Sequence, residues 1–309
     1  MKKTLKILLL LCLFVSCNKD ESQDYLNPQG TLLKDLKKQI IKYLCYDETE
    51  IEFDKIQGKI YVEIQGDMLF EIDQIKEMIK NAKLGKVDKR AVRCDQGVLL
   101  QRCLSTRCRR QRQFRELYQS VVLVYSSSNL PQEWKDATRR AIERWNTLSN
   151  TLQFEFKNCS GGDNRYNNGI IISLENRLSD RNSIARATVG SRNNLKRLLI
   201  NVAYESGSEN FNNLPLLHKE FTIAHELGHT IGYRHTDDRV STRNNCHIPG
   251  TSIYDAKSLM RTYKNDAPVI QEYFTTNDIR GHEVLYPPQS SNEFVGKLFF
   301  KGNRNVRCW

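Results

Sequence analysis

His225, Glu226, His229 and His235 stand close together in the run His225-Glu226-Leu227-Gly228-His229-Thr230-Ile231-Gly232-Tyr233-Arg234-His235. On a helix, residues four apart leave one face a turn apart, so the imidazoles of His225 and His229 can grip a single metal ion. Gly232 suits the left-handed conformation that ends a helix without a Cβ clash, which lets the chain turn and bring His235 back from another direction. Three neutral nitrogen ligands leave the fourth position of a tetrahedral ion such as Zn2+ open. With no protein carboxylate or thiolate to offset it, the ion's charge lowers the pKa of a bound water from about 15.7 toward about 7. Glu226, next to the first ligand, is placed to take the proton from that water and hand it to a leaving amine. The ion also polarises the scissile carbonyl and stabilises the developing oxyanion. These are the parts of amide hydrolysis. The plainer readings are a buried helix with incidental histidines and a zinc that only holds the fold. At ordinary residue frequencies the five fixed positions co-occur on the order of once in 10⁵ chains of this length. A structural zinc takes a fourth protein ligand and has no use for the adjacent carboxylate.

In its longer frame, His-Glu-x-x-His-x-x-Gly-x-x-His resembles the signature of the metzincin zinc metallopeptidases, which also carry a methionine turn beneath the metal. Ser258-Leu259-Met260 fits that turn and implies Met260 as an apolar floor under the imidazoles, where a lone methionine is otherwise core filling. More narrowly, Ile231-Gly232-Tyr233-Arg234-His235-Thr236-Asp237, then Ile248-Pro249-Gly250-Thr251, Asp255, Ser258 and Met260, is similar to the bacterial dual-action HEIGH metallopeptidase family. The likeness runs from Val121 to Tyr286 and more faintly over the N-terminal part. It implies an α+β fold of metzincin type: a twisted mixed sheet, an active-site helix, the methionine turn and a C-terminal helix. Its edge strand, Ile184 to Val189, would lie antiparallel to bound peptide and make little demand on substrate sequence. The resemblance also implies a zinc-dependent metalloendopeptidase with one catalytic Zn2+ and protein or peptide substrates. The chain departs from the family at Thr230, where Cys is common, so a disulfide is lost and the partner of Cys246 is open. Tyr263 stands three residues after Met260, against two in astacins and serralysins, and is not assigned to the metal. His218, His247 and His282 are read as surface or hydrogen-bonded histidines, the metal set being complete without them.

Such a site needs a frame. Ile223, Leu227 and Ile231 lie opposite the two helical ligands and anchor a helix that begins near Pro215 and is interrupted at Gly232. Upstream, Val121 to Tyr125 reads as a strand, and Pro131 opens a long helix with Trp134, Ala137, Ala141, Ile142, Trp145 and Leu148 on its apolar face. Leu152, Phe154 and Phe156 alternate, Ile170 to Leu174 is a buried run, and Lys196 to Val202 is another strand. A helix over Thr276 to Tyr286 closes before Pro287-Pro288. These elements define a catalytic domain over 119–288, followed by a tail, 289–309, that Cys308 can staple.

The 309 residues exceed one ordinary domain, and 39% hydrophobic with 27% charged residues is the composition of a soluble globular protein. Lys2, Lys3 and Lys6 precede the short apolar run Ile7 to Val15, the layout of a secretory signal over 1–16. Phe14-Val15-Ser16-Cys17 resembles a lipobox, which implies lipidation at Cys17 and membrane attachment. The alternative is an ordinary cleaved signal with a chance Cys. Asn18-Lys19-Asp20-Glu21 resembles the short charged signals that send lipoproteins to the outer face of the bacterial outer membrane. Residues 17–30 then read as a tether. A small α/β module over 31–95 follows, with a basic amphipathic helix from Leu32, a strand from Lys59 to Ile64, a Gly66-Asp67 turn and a helix from Ile72 to Ala82. Seven cysteines beyond Cys17 in an oxidising compartment predict disulfides, and the odd number leaves at least one thiol over.

Net charge is +11, and much of it sits between Lys83 and Arg115, around a basic linker over 96–118 that reads first as a solvated connection and otherwise as a cleavage site for a trypsin-like protease or a patch for anionic polymer. Aromatic residues are scarce there, so no specific nucleic acid partner is expected. A different class of function remains open, a surface binding module for anionic polymers on a catalytically idle zinc fold, but an idle site has no use for Glu226. Calcium is possible but not indicated: Asp163, Asp180, Asp237 and Asp238 are available, yet form no recognised calcium loop. Two segments bear on latency. Ile64-Gln65-Gly66-Asp67-Met68 resembles the astacin switch, which implies Asp67 as a ligand blocking the open metal position. Arg93-Cys94 resembles more faintly the cysteine switch of matrixins. Turn chemistry alone accounts for Gly66-Asp67, and a disulfide for Cys94.

Overall fold

In a computed structural model, the protein is described over residues 28–44, 46–83, 120–148, 152–158, 169–177, 179–189, 195–236, 251–252, 255–262 and 273–286. The secretory run, Cys17, the basic linker, Cys94, Tyr263, His247, the tail and all the cysteines lie outside these residues. The chain divides into a small unit, Met1–Leu36, described from Pro28 onward as helix, and a large unit, Lys37–Trp309, that holds the remaining elements.

Helix α1, Pro28–Leu44, begins inside the stretch expected to be tether, because proline's fixed φ and missing N–H suit the first helical turn. After it come β1 (Ile51–Ile56), β2 (Lys59–Ile64), β3 (Met68–Glu71) and α2 (Ile72–Lys83). The later elements are β4 (Ser120–Ser126), α3 (Gln132–Asn146), β5 (Leu152–Asn158), β6 (Gly169–Glu175), β7 (Ala185–Thr188), β8 (Leu195–Asn201), the two-residue strands β9 (Glu205–Ser206) and β10 (Glu209–Asn210), α4 (Leu216–Thr230) and α5 (Thr276–Leu285). Eight strands form one mixed sheet in the order β1-β2-β3-β7-β8-β6-β4-β5. The β4-α3-β5 crossover makes a parallel pair, whereas β7 runs antiparallel to β8. This is an α+β architecture.

Alternation along the strands turns Val122, Val124, Phe154, Ile170, Ile172, Leu198 and Ile200 to one face. Trp134, Ala141, Ile142 and Trp145 of α3 and Ile223, Ala224 and Leu227 of α4 cover it. Leu148 is only partly buried against this core. Trp145 donates from Nε1 to the Ala224 carbonyl at 2.9 Å, fixing α3 against α4 where the site begins.

The β7 strand, expected as a free edge, is flanked on both sides. Its outer side pairs in parallel with β3, Met68 beside Ala187 and Leu69 beside Thr188. Ala187 and Val189 donate their backbone N–H to the carbonyls of Asp67 and Leu69 at 2.8 and 2.9 Å. Residues 51–71 thus extend the same sheet that carries the site, as two successive hairpins.

Candidate active site

Helix α4 is buried almost all round, with Ile223 and Leu227 in the core and His225, Glu226 and His229 also enclosed. It ends in a Schellman turn: Gly232 has φ 107°, its N–H donates to the His229 carbonyl at 2.9 Å, and the Tyr233 N–H donates to the Gly228 carbonyl at 3.0 Å. A Cβ at that φ would be strained, so glycine lets the chain reverse and return His235 to the two helical imidazoles. The Nε2 atoms of His229 and His225 approach to 3.0 Å, and those of His225 and His235 to 3.2 Å.

What holds each ring is a hydrogen bond at its far nitrogen. Nδ1 of His225 donates to the Leu259 carbonyl at 2.7 Å, Nδ1 of His229 to the Tyr233 carbonyl at 2.9 Å, and Nδ1 of His235 to Gln65 Oε1 at 3.0 Å. With the proton on Nδ1, each Nε2 directs a lone pair inward. Asp67 adds a carboxylate to the same spot, its Oδ2 lying 2.9 Å from His235 Nε2 and 3.6 Å from His225 Nε2. Among the described residues this is the one group of three or more metal-type ligands, all within 4.8 Å of one another. Four acceptors crowded together repel unless a cation lies between them. Tetrahedral nitrogens about 2.0–2.1 Å from zinc would be about 3.3–3.4 Å apart, close to the spacing here. The donor set therefore fits Zn2+.

Burial pushes His229 well below the ordinary imidazole range, aided by its two neighbours, which favours the neutral form that metal binding would need. Burial pushes Glu226 well above the usual carboxylate value, and the charge of Asp67 adds to the effect. Among the described residues, Glu226 Oε2 and Asp67 Oδ1 are buried and have no hydrogen-bond partner.

The turn at Ser258–Met260 supports two of the three clustered histidines. The Leu259 carbonyl holds His225, and the Met260 carbonyl accepts from the N–H of Thr236, next to His235, at 2.8 Å. Met260 packs so tightly on α4 that a Cβ at Gly228 would collide with its sulfur and lie 3.4 Å from Trp145. Asp278, near the start of α5, accepts from Ser258 Oγ at 2.6 Å and from the Leu259 N–H at 2.9 Å. Sequence reasoning missed Gln65, Gly228 and Asp278 as parts of the site. Thr275 and Asp278 form a capping box, a pattern visible in sequence, but nothing there says that the cap also clamps the turn.

Of the other histidines, His218 lies 3.2 Å from Glu209. His282 is buried with Nδ1 3.2 Å from the Tyr233 hydroxyl. Neither joins the metal cluster.

A sheet backed by a helix bearing two histidines, with a third from the turn that follows and a methionine turn beneath, defines the class as a zinc metalloendopeptidase. The chain belongs to the dual-action HEIGH metallo-peptidase family, whose model matches residues 109–286, more than half its length. No curated protein sequence matches it. Among solved structures it is similar to high choriolytic enzyme 1, a hatching-enzyme zinc protease of the medaka fish Oryzias latipes, at 16% identity over 62% of this chain and 100% of that one, with a TM-score of 0.37. It is also similar to myroilysin, at 12% identity over 56% of this chain and 84% of that one, with a TM-score of 0.35.

Proposed function

We propose that the protein is a latent endopeptidase in which His225, His229 and His235 hold the zinc, Glu226 is the general base and Asp67 keeps the site closed. The observation that carries the reading is the convergence of three inward Nε2 lone pairs beside a buried, unpartnered Glu226 carboxylate oxygen. Bound zinc supplies Lewis acidity, acidifying water and polarising a peptide carbonyl. Glu226 takes the proton of the attacking water and delivers it to the amine nitrogen as the C–N bond breaks. The Nδ1 hydrogen bonds keep the three rings from rotating as charge develops.

In the intact chain Asp67 occupies the ligand cluster and β3 covers the outer side of β7. Displacing the segment that carries them opens the coordination position and frees a strand edge for an antiparallel peptide. The basic residues between Lys83 and Arg115 supply cut sites for that displacement. The N-terminal signal and Cys17 add export and a lipid anchor, on the outer face of the bacterial outer membrane.

The test is casein turnover by the purified chain before and after trypsin nicking, with and without chelator, beside Glu226→Gln. Nicking should raise turnover. Glu226→Gln should lower it by about 10²–10⁴-fold while bound zinc is unchanged. Turnover that survives both chelator and the substitution would rule the mechanism out.

A further inference from the structure

A second charged cluster sits on the opposite face of the sheet. Ala185 packs into the helix-side core, so alternation turns Arg186 of β7 the other way. Arg186 is 2% exposed and pairs with Glu63 of β2 and Asp54 of β1, besides Glu175 of β6 at 2.8 and 2.6 Å. Arg177, just beyond β6, donates to Glu63 at 2.8 Å and to the Gly66 carbonyl at 3.3 Å, and lies 3.7 Å from Glu52 and 3.3 Å from Asp180. Glu63, also 2% exposed, thus gives one carboxylate oxygen to each guanidinium.

Ownership of these charges is uneven. Glu52, Asp54 and Glu63 belong to the β1-β3 segment, whereas Glu175 and Asp180 belong to the part that carries the metal ligands. On the reading that the N-terminal segment is displaced, Arg186 keeps Glu175 and Arg177 keeps Asp180, but the carboxylate between them is gone. Two guanidiniums then border the β7 edge with unused fork-shaped donors, the geometry that selects a carboxylate over an amide.

We propose that Arg177 and Arg186 form an acidic-side-chain subsite of the released enzyme, held in the intact chain by Glu63 as a built-in stand-in. A peptide laid along β7 alternates its side chains between the two faces, so one residue falls beside Arg186. Glu or Asp there restores the lost pair, whereas Gln leaves both cations short of an acceptor. The preferred substrates are accordingly acidic at one fixed position, with main-chain pairing elsewhere.

The experiment uses the full chain carrying Glu226→Gln, nicked by trypsin, so that peptides bind without being cut. Fluorescence anisotropy compares labelled peptides that differ only by Glu or Gln, moved stepwise along the sequence. At one position Glu should bind at least tenfold more tightly, and R186Q should bring that ratio to about one. Because R186Q leaves Glu63 short of a partner and can unfold the intact chain, R177Q and R186K are measured beside it, with near-ultraviolet circular dichroism as the check on folding. R177Q should reduce the ratio and R186K should keep part of it. In the nicked chain with Glu226 intact, kcat/KM should show the same preference through KM. Equal binding of Glu and Gln peptides, or a preference that survives R186Q in a folded chain, overturns the subsite while leaving latency standing. If nicking neither releases the N-terminal fragment nor permits binding of any peptide, the latency reading falls and the subsite falls with it.

Discussion

At the scale of single residues, the site is a set of rings each fixed at its outer nitrogen, and neighbours that leave no slack. Gly228 is the clearest case, since any side chain there meets Met260 and Trp145. Gly228→Ala should therefore cost about 1–3 kcal/mol in a denaturant titration, although alanine ordinarily favours a helix. His282 makes a second expectation. Burial lowers it to about 4 from an ordinary 6.5, so it stays neutral in the folded chain while the unfolded chain takes up a proton first. Its contribution is complete above about pH 6.5 and is lost as pH falls toward 4, at about 1.4 kcal/mol per pH unit. Comparing stability against pH for the wild type and His282→Gln should show that slope in the difference. The clustering of the three histidines was legible because chemistry restricts such a set to one residue type at one spacing. Gly228 was not, because the motif leaves its position open and only packing against a turn some thirty residues later restricts it.

At the scale of elements, α3 and α4 were legible from their apolar periodicity, with Trp134, Ala137, Ala141, Ile142 and Trp145 all buried as expected. Strands β1 and β3 were not. Glu52, Asp54 and Lys55 make β1 look like a polar loop, and β3 has four residues that run straight into α2. Their strand character comes from partners rather than from composition. The link between α5 and the histidine cluster is of the same kind. Asp278 completes the capping box of α5, accepting from the Thr275 backbone N–H at 3.1 Å while the Thr275 hydroxyl accepts from the Asp278 N–H, and also holds Ser258 and Leu259, whose carbonyl in turn fixes His225. Asp278→Ala should lower zinc affinity by about 10–100-fold in a chelator competition, the usual loss when an outer partner of a ligand is removed. Asp278→Asn, which keeps one acceptor oxygen, should lose less. Equal affinity in all three proteins would mean that the turn holds its shape without the cap.

At the scale of the whole molecule, β1-β3 are bound to the rest by contacts that join distant parts of the chain. These are the Asp67 carboxylate in the ligand cluster, the β3-β7 ladder, Glu63 between two arginines, and Arg234, which donates to the Tyr46 hydroxyl at 3.1 Å and stacks on Phe70. Partners so far apart in sequence leave no local signal, which is why the continuous sheet could not be read from the chain. Two of these grips are independent in chemistry. One depends on the metal if Asp67 is a ligand as proposed, and the other is a buried ion cluster in which loss of one partner strands the others, at about 3–5 kcal/mol. The nicked chain separates them, since the fragment bearing β1-β3 is then held without a covalent link. Chelator should weaken only the first grip, and Glu63→Gln only the second. Size-exclusion chromatography of the nicked protein should find part of the fragment released by nicking alone, more with either treatment, and most when both are applied. Full release by chelator alone would make the metal grip dominant, and retention under both would place the hold in the β-ladder and the Arg234 contacts instead.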